Sequence, residues 1–231
     1  MGFFRGPKLV TAGLVFALDA GSERSYIGSG TSCYDLSNTR DIGTLISTPV
    51  FDTDGGGCFI FDGTNYIELG IDYIASGEIG VGDVPYTIES WFKITSTPTG
   101  VGASAYSIMG SASSGGIGLQ VESGPTVNFG YRSTSNYDST VILSLDTWYH
   151  VVGTHEVGVS NYIYINGGSV TPFAATSLTV QSTTGAMQIG AAETRIGSFI
   201  GKIAVAKLYN RHLTAVEVLQ NFNAQKGRFG L

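Results

Sequence analysis

Charge is scarce in this chain. Asp, Glu, Lys and Arg make up 13% of its 231 residues, about half the usual share of roughly 25%. Disordered chains pair low hydrophobicity with high net charge; 42% hydrophobic residues, 11% aromatics and a net charge of −6 exclude that class. The shortage is greatest on the basic side, with 12 Lys and Arg against 18 Asp and Glu. That balance argues against nucleic acid as a partner, because phosphate-binding surfaces concentrate Lys and Arg. Cysteine is nearly missing as well. Cys33 and Cys58 form no C-x-x-C pair, so no zinc site is indicated; they read as two buried free thiols, with a Cys33–Cys58 disulfide as the alternative. No stretch approaches the 18 or more apolar residues of a membrane-spanning helix. The run Ala12–Leu18 follows Arg5 and Lys8 as a signal-peptide core would. Pro7 and Gly13 interrupt the pattern, however, and Asp19 occupies the cleavage position, so the run reads as a buried first strand. Helical periodicity is almost absent, which disfavours a helical bundle.

Two features are abundant: glycine, 33 residues, and period-two alternation. In Thr87-Ile88-Glu89-Ser90-Trp91-Phe92-Lys93-Ile94 the residues Ile88, Ser90, Phe92 and Ile94 line one face, and Thr87, Glu89, Trp91 and Lys93 the other. Similar runs span 65–69, 116–121, 126–132, 148–154, 161–166, 186–189 and 200–209, separated by Gly, Ser, Asn, Thr and Pro clusters. Asn166-Gly167 is the strongest hairpin signal. Residues 96–102 and 133–140 read as the longest polar loops. One helix is predicted near the C-terminus. Thr214 with Glu217 fits a capping box, Val218, Leu219 and Phe222 supply an apolar stripe, and Lys226-Gly227 suits its end. Many short strands with Gly-rich turns predict an all-β fold, an antiparallel two-sheet sandwich with one short C-terminal helix.

Catalytic patterns are missing. There is no G-x-S-x-G elbow, P-loop or complete G-x-G-x-x-G. Glu68 and Asp72 would lie roughly 13 Å apart on an extended strand, too far for either type of glycosidase carboxylate pair. His150 and His155 are an odd number of residues apart and would face opposite sides of a strand. His150 reads as a structural histidine. The expectation is therefore a protein without enzymatic activity.

Several segments together resemble the laminin G-like, or concanavalin A-like, jelly-roll family. They are Gly13–Gly21, Phe59–Ile67, Tyr86–Phe92, Thr147–Thr154, Tyr162–Gly167 and Phe199–Arg211, in the family's order. The resemblance implies a jelly-roll domain over residues 13–231, preceded by an N-terminal arm at 1–12. The ends, Met1–Pro7 and Ala224–Leu231, are similar to those of structural proteins of tailed phages, particularly of marine cyanobacteria. They imply a whole, unprocessed virion protein: a capsid decoration, fibre or tail component. Its expected partners are other virion proteins and further copies of itself, with no membrane insertion. The alternative function is a carbohydrate-binding adhesin for host-surface glycans. Tyr131, Asn136, Tyr137 and Asp138, with Tyr106 in another loop region, are the candidate glycan-binding residues, because sugars stack on exposed rings beside polar groups. No cofactor is certain. The family implies Ca²⁺ through loop carboxylates, and Ca²⁺ takes six to eight oxygen ligands. Asp52 and Asp54 are the candidates, with Asp19 and Asp62 as helpers. Ala204 stands where many relatives carry Asp, and the alternative role for these residues is turn formation beside glycine.

Overall fold

The computed structural model describes residues 7–99, 105–112, 116–131, 135–173, 179–181, 183–191 and 198–231, with backbone alone at 131, 135–137, 169–173 and 179. In chain order the strands are β1 (Leu14–Asp19), β2 (Ser32–Tyr34), β3 (Ile42–Ile46), β4 (Val50–Asp52), β5 (Cys58–Asp62), β6 (Tyr66–Leu69), β7 (Gly82–Asp83), β8 (Tyr86–Ile94) and β9 (Tyr106–Ser111). They continue as β10 (Ile117–Val121), β11 (Thr126–Tyr131), β12 (Ser135–Ile142), β13 (Tyr149–Glu156), β14 (Ser160–Ile165), β15 (Gly168–Phe173), β16 (Thr179–Val180), β17 (Met187–Ile189) and β18 (Ile200–Tyr209). Helix α1 (Ala215–Gln225) follows, then a 3₁₀ turn at Lys226–Phe229.

Two eight-stranded antiparallel sheets face each other. The first runs β15-β14-β13-β8-β18-β5-β4, with β1 beside the C-terminal half of β18; the second runs β12-β11-β10-β9-β17-β6-β3-β2. Alternation explains the layering. Ile88, Phe92 and Ile94 of β8 enter the core between the sheets with Phe129, Val151, Ile203 and Leu208, and each is fully buried. The hairpin at Asn166-Gly167 is tight, with φ of 51° and 76° at its two central residues, as a primed turn requires. Residues 135–142, read partly as loop, are instead an edge strand. Asn128↔Asp138 is part of the β11–β12 register, and the Asn128 amide donates to Asp138 at 2.9 Å.

The outer face of the first sheet carries a third layer. Helix α1 has the expected capping box at Thr214 and Glu217. Its buried face differs from the prediction: Val218, Asn221 and Gln225 point inward, while Leu219 is 46% exposed. The chain also turns on past Gly227, in a 3₁₀ turn that Gly230 closes at φ 74°. Aromatic packing accounts for that extra turn, because Phe229 stacks on Trp91 with ring centroids 4.1 Å apart and contacts Trp148 at 5.0 Å. The segment before β1 joins the same layer. Val10 packs with Val152, Tyr209, Leu213 and Val218, and its N–H donates to Asn221.

This layer seals off a charged cluster. Glu89 and Lys207 pair across β8 and β18, with Lys207 Nζ 2.6 Å from Glu89 Oε1. His150 Nε2 lies 3.1 Å from the same oxygen, Asn221 donates to Glu89 Oε2 at 2.7 Å, and Lys207 also donates to Gln225 at 3.1 Å. Burial works to raise the Glu89 pKa, but Lys207 and His150 overcome it and hold the carboxyl below the usual range. Burial outweighs Glu89 at His150 and lowers its pKa, so the ring is neutral at pH 7. Its Nε2–H is therefore the donor to Glu89.

Candidate functional site

A concavity of about 300 Å³ opens beside β2, at the end of the second sheet, lined by Arg24, Tyr34, Asp35, Leu36, Ser37 and Arg40. Its floor is built around the Asp35 carboxylate, 7% exposed. That carboxylate accepts hydrogen bonds from the N–H groups of Ala17 at 2.7 Å, Ser37 at 2.9 Å and Arg40 at 3.1 Å. The hydroxyls of Ser37 and Thr39 reach it as well. A short polar side chain that gathers several following backbone donors fixes a loop without secondary structure. Arg40 is held here at φ 58°. The opposite wall is tied to the same floor. Buried Ser25 donates its hydroxyl to Tyr34 O at 2.7 Å, Tyr34 N–H donates to Ser25 O at 2.7 Å, and this places the turn that carries Arg24.

The functional atoms are left free by this scaffold. Tyr34 is 46% exposed. Lys93, Lys202, Lys207, Arg211 and Arg228 are committed to carboxylates. Among the described residues, the exposed guanidinium groups of Arg24 and Arg40 make no such pair and no hydrogen bond. Two unpaired guanidinium forks and an exposed ring on a rigid loop can hold an anionic group and stack an apolar ring face.

The candidates read from the sequence lie elsewhere. Tyr131, Asn136 and Tyr137 occupy strand positions whose side chains lie outside the described residues. Asp138 is exposed and engaged by Asn128. Tyr106 is half-buried, its ring 6.0 Å from Phe199 and its hydroxyl 2.7 Å from Ser96 Oγ, so it packs inward. The four metal candidates do not converge. Asp52 and Asp54 share Lys202, each at 3.1 Å, and Asp54 also meets Lys93 at 2.6 Å. The Lys93 hydrogen bond leads the set of contacts that hold the Asp54 carboxyl well below the usual range, against the effect of burial. Asp19 pairs with Arg228 at 2.6 Å, and Asp62 closes its own turn by accepting from Thr64. Among the described residues no three or more His, Cys, Asp or Glu gather as metal ligands. Carboxylates already paired with lysine and arginine are a poor donor set for Ca²⁺. Cys33 and Cys58 are buried free thiols.

The outer face of the second sheet is also polar. Ser107 lies opposite Gln120 and Gly110 opposite Gln188. Ser107 Oγ, Gln120 Nε2 and Gln188 Oε1 are buried there and find no hydrogen-bond partner among the described residues. These side chains are at most 5% exposed, so the Arg24–Tyr34–Arg40 pocket is the more accessible candidate. It was not legible as a motif: its two arginines come from separate loops, and their neighbours suggest only turns.

Residues 61–219 match the family profile described as the concanavalin A-like lectin/glucanases superfamily. No curated protein matches the sequence. Among solved structures, Trypanosoma rangeli sialidase aligns with TM-score 0.65 and 16% identity over 95% of this chain and 34% of its own. The chain therefore spans about a third of the sialidase length. Domain 4 of AbnA, a GH43 extracellular arabinanase from Geobacillus stearothermophilus solved with arabinotriose, aligns with TM-score 0.67 and 14% identity over 93% of this chain and 100% of that domain. A botulinum neurotoxin type C structure, whose cell entry depends on two ganglioside molecules, aligns with TM-score 0.66 and 12% identity over 92% of this chain and 51% of its own. At these identities the likeness shows the fold. Among the described residues no helix is long and apolar enough to cross a membrane.

Proposed function

Because the chain belongs to the concanavalin A-like lectin/glucanases superfamily, we propose that it is a carbohydrate-binding domain whose site is the Arg24–Tyr34–Arg40 pocket, and that its preferred glycans carry an acidic group. One observation carries the reading. In a protein of net charge −6, two arginines that find no partner among the described residues line one pocket with an exposed tyrosine, over a loop that Asp35 holds rigid. Preorganisation of this kind lowers the entropy cost of binding. Guanidinium groups recognise carboxylate, sulfate and phosphate by paired hydrogen bonds. The arabinotriose bound to the arabinanase domain and the gangliosides of the neurotoxin support the ligand class.

In this proposal the domain binds without turning over its ligand. Incubation with acidic and neutral polysaccharides, followed by a reducing-sugar assay, yields no product; release of product refutes that half. The binding half is tested on a glycan array and by titration at two salt concentrations. Wild type binds acidic glycans more weakly at high salt, and Arg24→Ala, Arg40→Ala and Tyr34→Ala each lose affinity by about tenfold, the scale of one charge-assisted hydrogen bond or one good stacking contact. No binding at all, or equal binding of neutral glycans with the variants unaffected, overturns it. A place in a virion is the narrower proposal, supported by the resemblance of the ends alone. Mass spectrometry of the purified particle tests it, and absence from the particle removes it.

A further inference from the structure

A second concavity, of about 360 Å³, lies on the first sheet beside the start of α1 and is lined by Glu156, Tyr162, Tyr164, His212, Thr214 and Ala215. Tyr162 and Tyr164 stand two apart on β14 and share its outer face. The Tyr162 ring lies 6.2 Å from Tyr164, tilted by 33°, and 6.1 Å from His212, tilted by 32°. The three rings thus form a continuous curved wall, with Tyr164, only 4% exposed, as its floor.

Charge in this pocket has one sign. Glu156, the last residue of β13, has its side chain 38% exposed and only a distant histidine partner, His212 Nε2 at 3.9 Å. Among the described residues no lysine or arginine pairs with it. The nearest guanidinium in sequence to the pocket wall, Arg211, is held by Glu217 at 2.7 and 2.9 Å and by Ala12 O at 2.8 Å. Burial lowers the His212 pKa, more than Glu156 and Glu217 raise it, so the ring is neutral at pH 7. The positive end of α1 is offset by Glu217, whose carboxylate accepts from Thr214 N–H at 3.0 Å.

We propose that this pocket binds a methylated ammonium group, as in choline-type ligands, with the cation over Tyr162 and against the Glu156 carboxylate. Aromatic faces carry negative potential and attract cations within about 6 Å of the ring centroid. A methylated ammonium sheds water more readily than a primary one, which suits a wall that is largely apolar. The Glu156 carboxylate, which no described lysine or arginine neutralises and which only His212 approaches at 3.9 Å, supplies the remaining charge. The site is on a different sheet from the Arg24–Tyr34–Arg40 pocket and does not depend on glycan binding.

The test uses the full chain, with tetramethylammonium and choline titrated by ligand-observed NMR. The probes include 3,3-dimethylbutan-1-ol, which has the shape of choline without its charge, and glucose. Both cations bind and the neutral alcohol binds at least fivefold more weakly. Glu156→Gln weakens cation binding by about fivefold and Tyr162→Ala by about tenfold, the range of a partly desolvated cation–π contact. Arg24→Ala has no effect, and Glu156→Gln, at an exposed side chain, keeps the wild-type melting temperature. Phosphatidylcholine and phosphatidylglycerol vesicles form the second arm. Choline-competed retention on the former alone assigns the cation to a lipid headgroup, and binding of free choline without vesicle retention assigns it to a soluble ligand. No cation binding, equal binding of the neutral alcohol, insensitivity to Glu156→Gln, or occupancy by glucose instead overturns the proposal.

Discussion

Replacing Lys207 with methionine keeps most of the unbranched side chain, one atom shorter, and removes its charge. Lys207 side chain is 4% exposed and Glu89 is fully buried, with 2.6 Å between their charged atoms. In Lys207→Met, Glu89 keeps the hydrogen bonds from His150 at 3.1 Å and Asn221 at 2.7 Å, but no cation. Removing one member of a buried pair costs about 3–5 kcal/mol, because the other is left uncompensated away from water. For a chain of this size one kcal/mol moves the melting temperature by about 2–4 °C, so the expected fall at pH 7 is roughly 6–20 °C. Glu89 limits the cost by taking up a proton. The gap between variant and wild type therefore narrows on acidification, by up to about 1.4 kcal/mol per pH unit. The double variant Glu89→Gln with Lys207→Met buries no charge at all and is more stable than Lys207→Met alone. Thermal unfolding followed by circular dichroism at pH 7 and pH 5 measures each case. A fall under 2 °C for Lys207→Met, or a double variant whose loss equals the sum of the two single losses, would refute the reasoning.

Three further outcomes follow from the packing. Gly153→Ala places a Cβ about 2.1 Å from the Phe129 ring, and overpacking of this kind costs about 1–3 kcal/mol; an unchanged urea midpoint contradicts it. Burial pushes the thiol pKa of Cys33 and of Cys58 up to about 12, so both stay unalkylated by iodoacetamide at pH 8 in the folded protein and react fully in denaturant. Acid acts through His150 first. Its folded pKa is lowered by burial despite Glu89, so the unfolded chain binds the extra proton, and stability falls as pH drops below the unfolded value of about 6.5. Glu89, whose carboxyl is held low in the fold despite burial, adds a second loss below about 4.5, the usual carboxylate range. Urea unfolding of wild type and His150→Gln at pH 7, 6 and 5 shows a flatter pH dependence for the variant, and parallel curves would contradict the assignment.

Much of the fold was legible because its determinants are local. Strand β8 shows its two faces as plain alternation, Asn166-Gly167 announces its turn by backbone conformation, and Thr214 with Glu217 satisfies donors within one helical turn. Strand β12 is only partly legible because Ser135–Thr140 is polar at every position but Tyr137, and it becomes a strand by pairing with β11. The helix face was misread for a related reason. Asn221 and Gln225 turn inward to meet Glu89 and Lys207, so the buried stripe is set by a partner more than a hundred residues distant. Leu219, the more apolar choice, stays outside.

The sequence by itself determined the layers of the sandwich, since period-two hydrophobicity leaves a strand only one way to face a core, and it determined the turn and cap that punctuate them. Only the tertiary structure decided which charges are hidden and which are free. Glu89 shares a strand face with Trp91 and Lys93 and looks solvated in isolation; α1 and the segment before β1 close over it and oblige it to find Lys207, 118 residues away. Arg24 and Arg40 look like ordinary loop arginines until Asp35 and Ser25 bring their loops to one rim. Tyr162, His212 and Glu156 become a pocket only where β13, β14 and the start of α1 meet. Burial and pairing of charge depend on contacts between distant segments, and no local pattern in the chain encodes them.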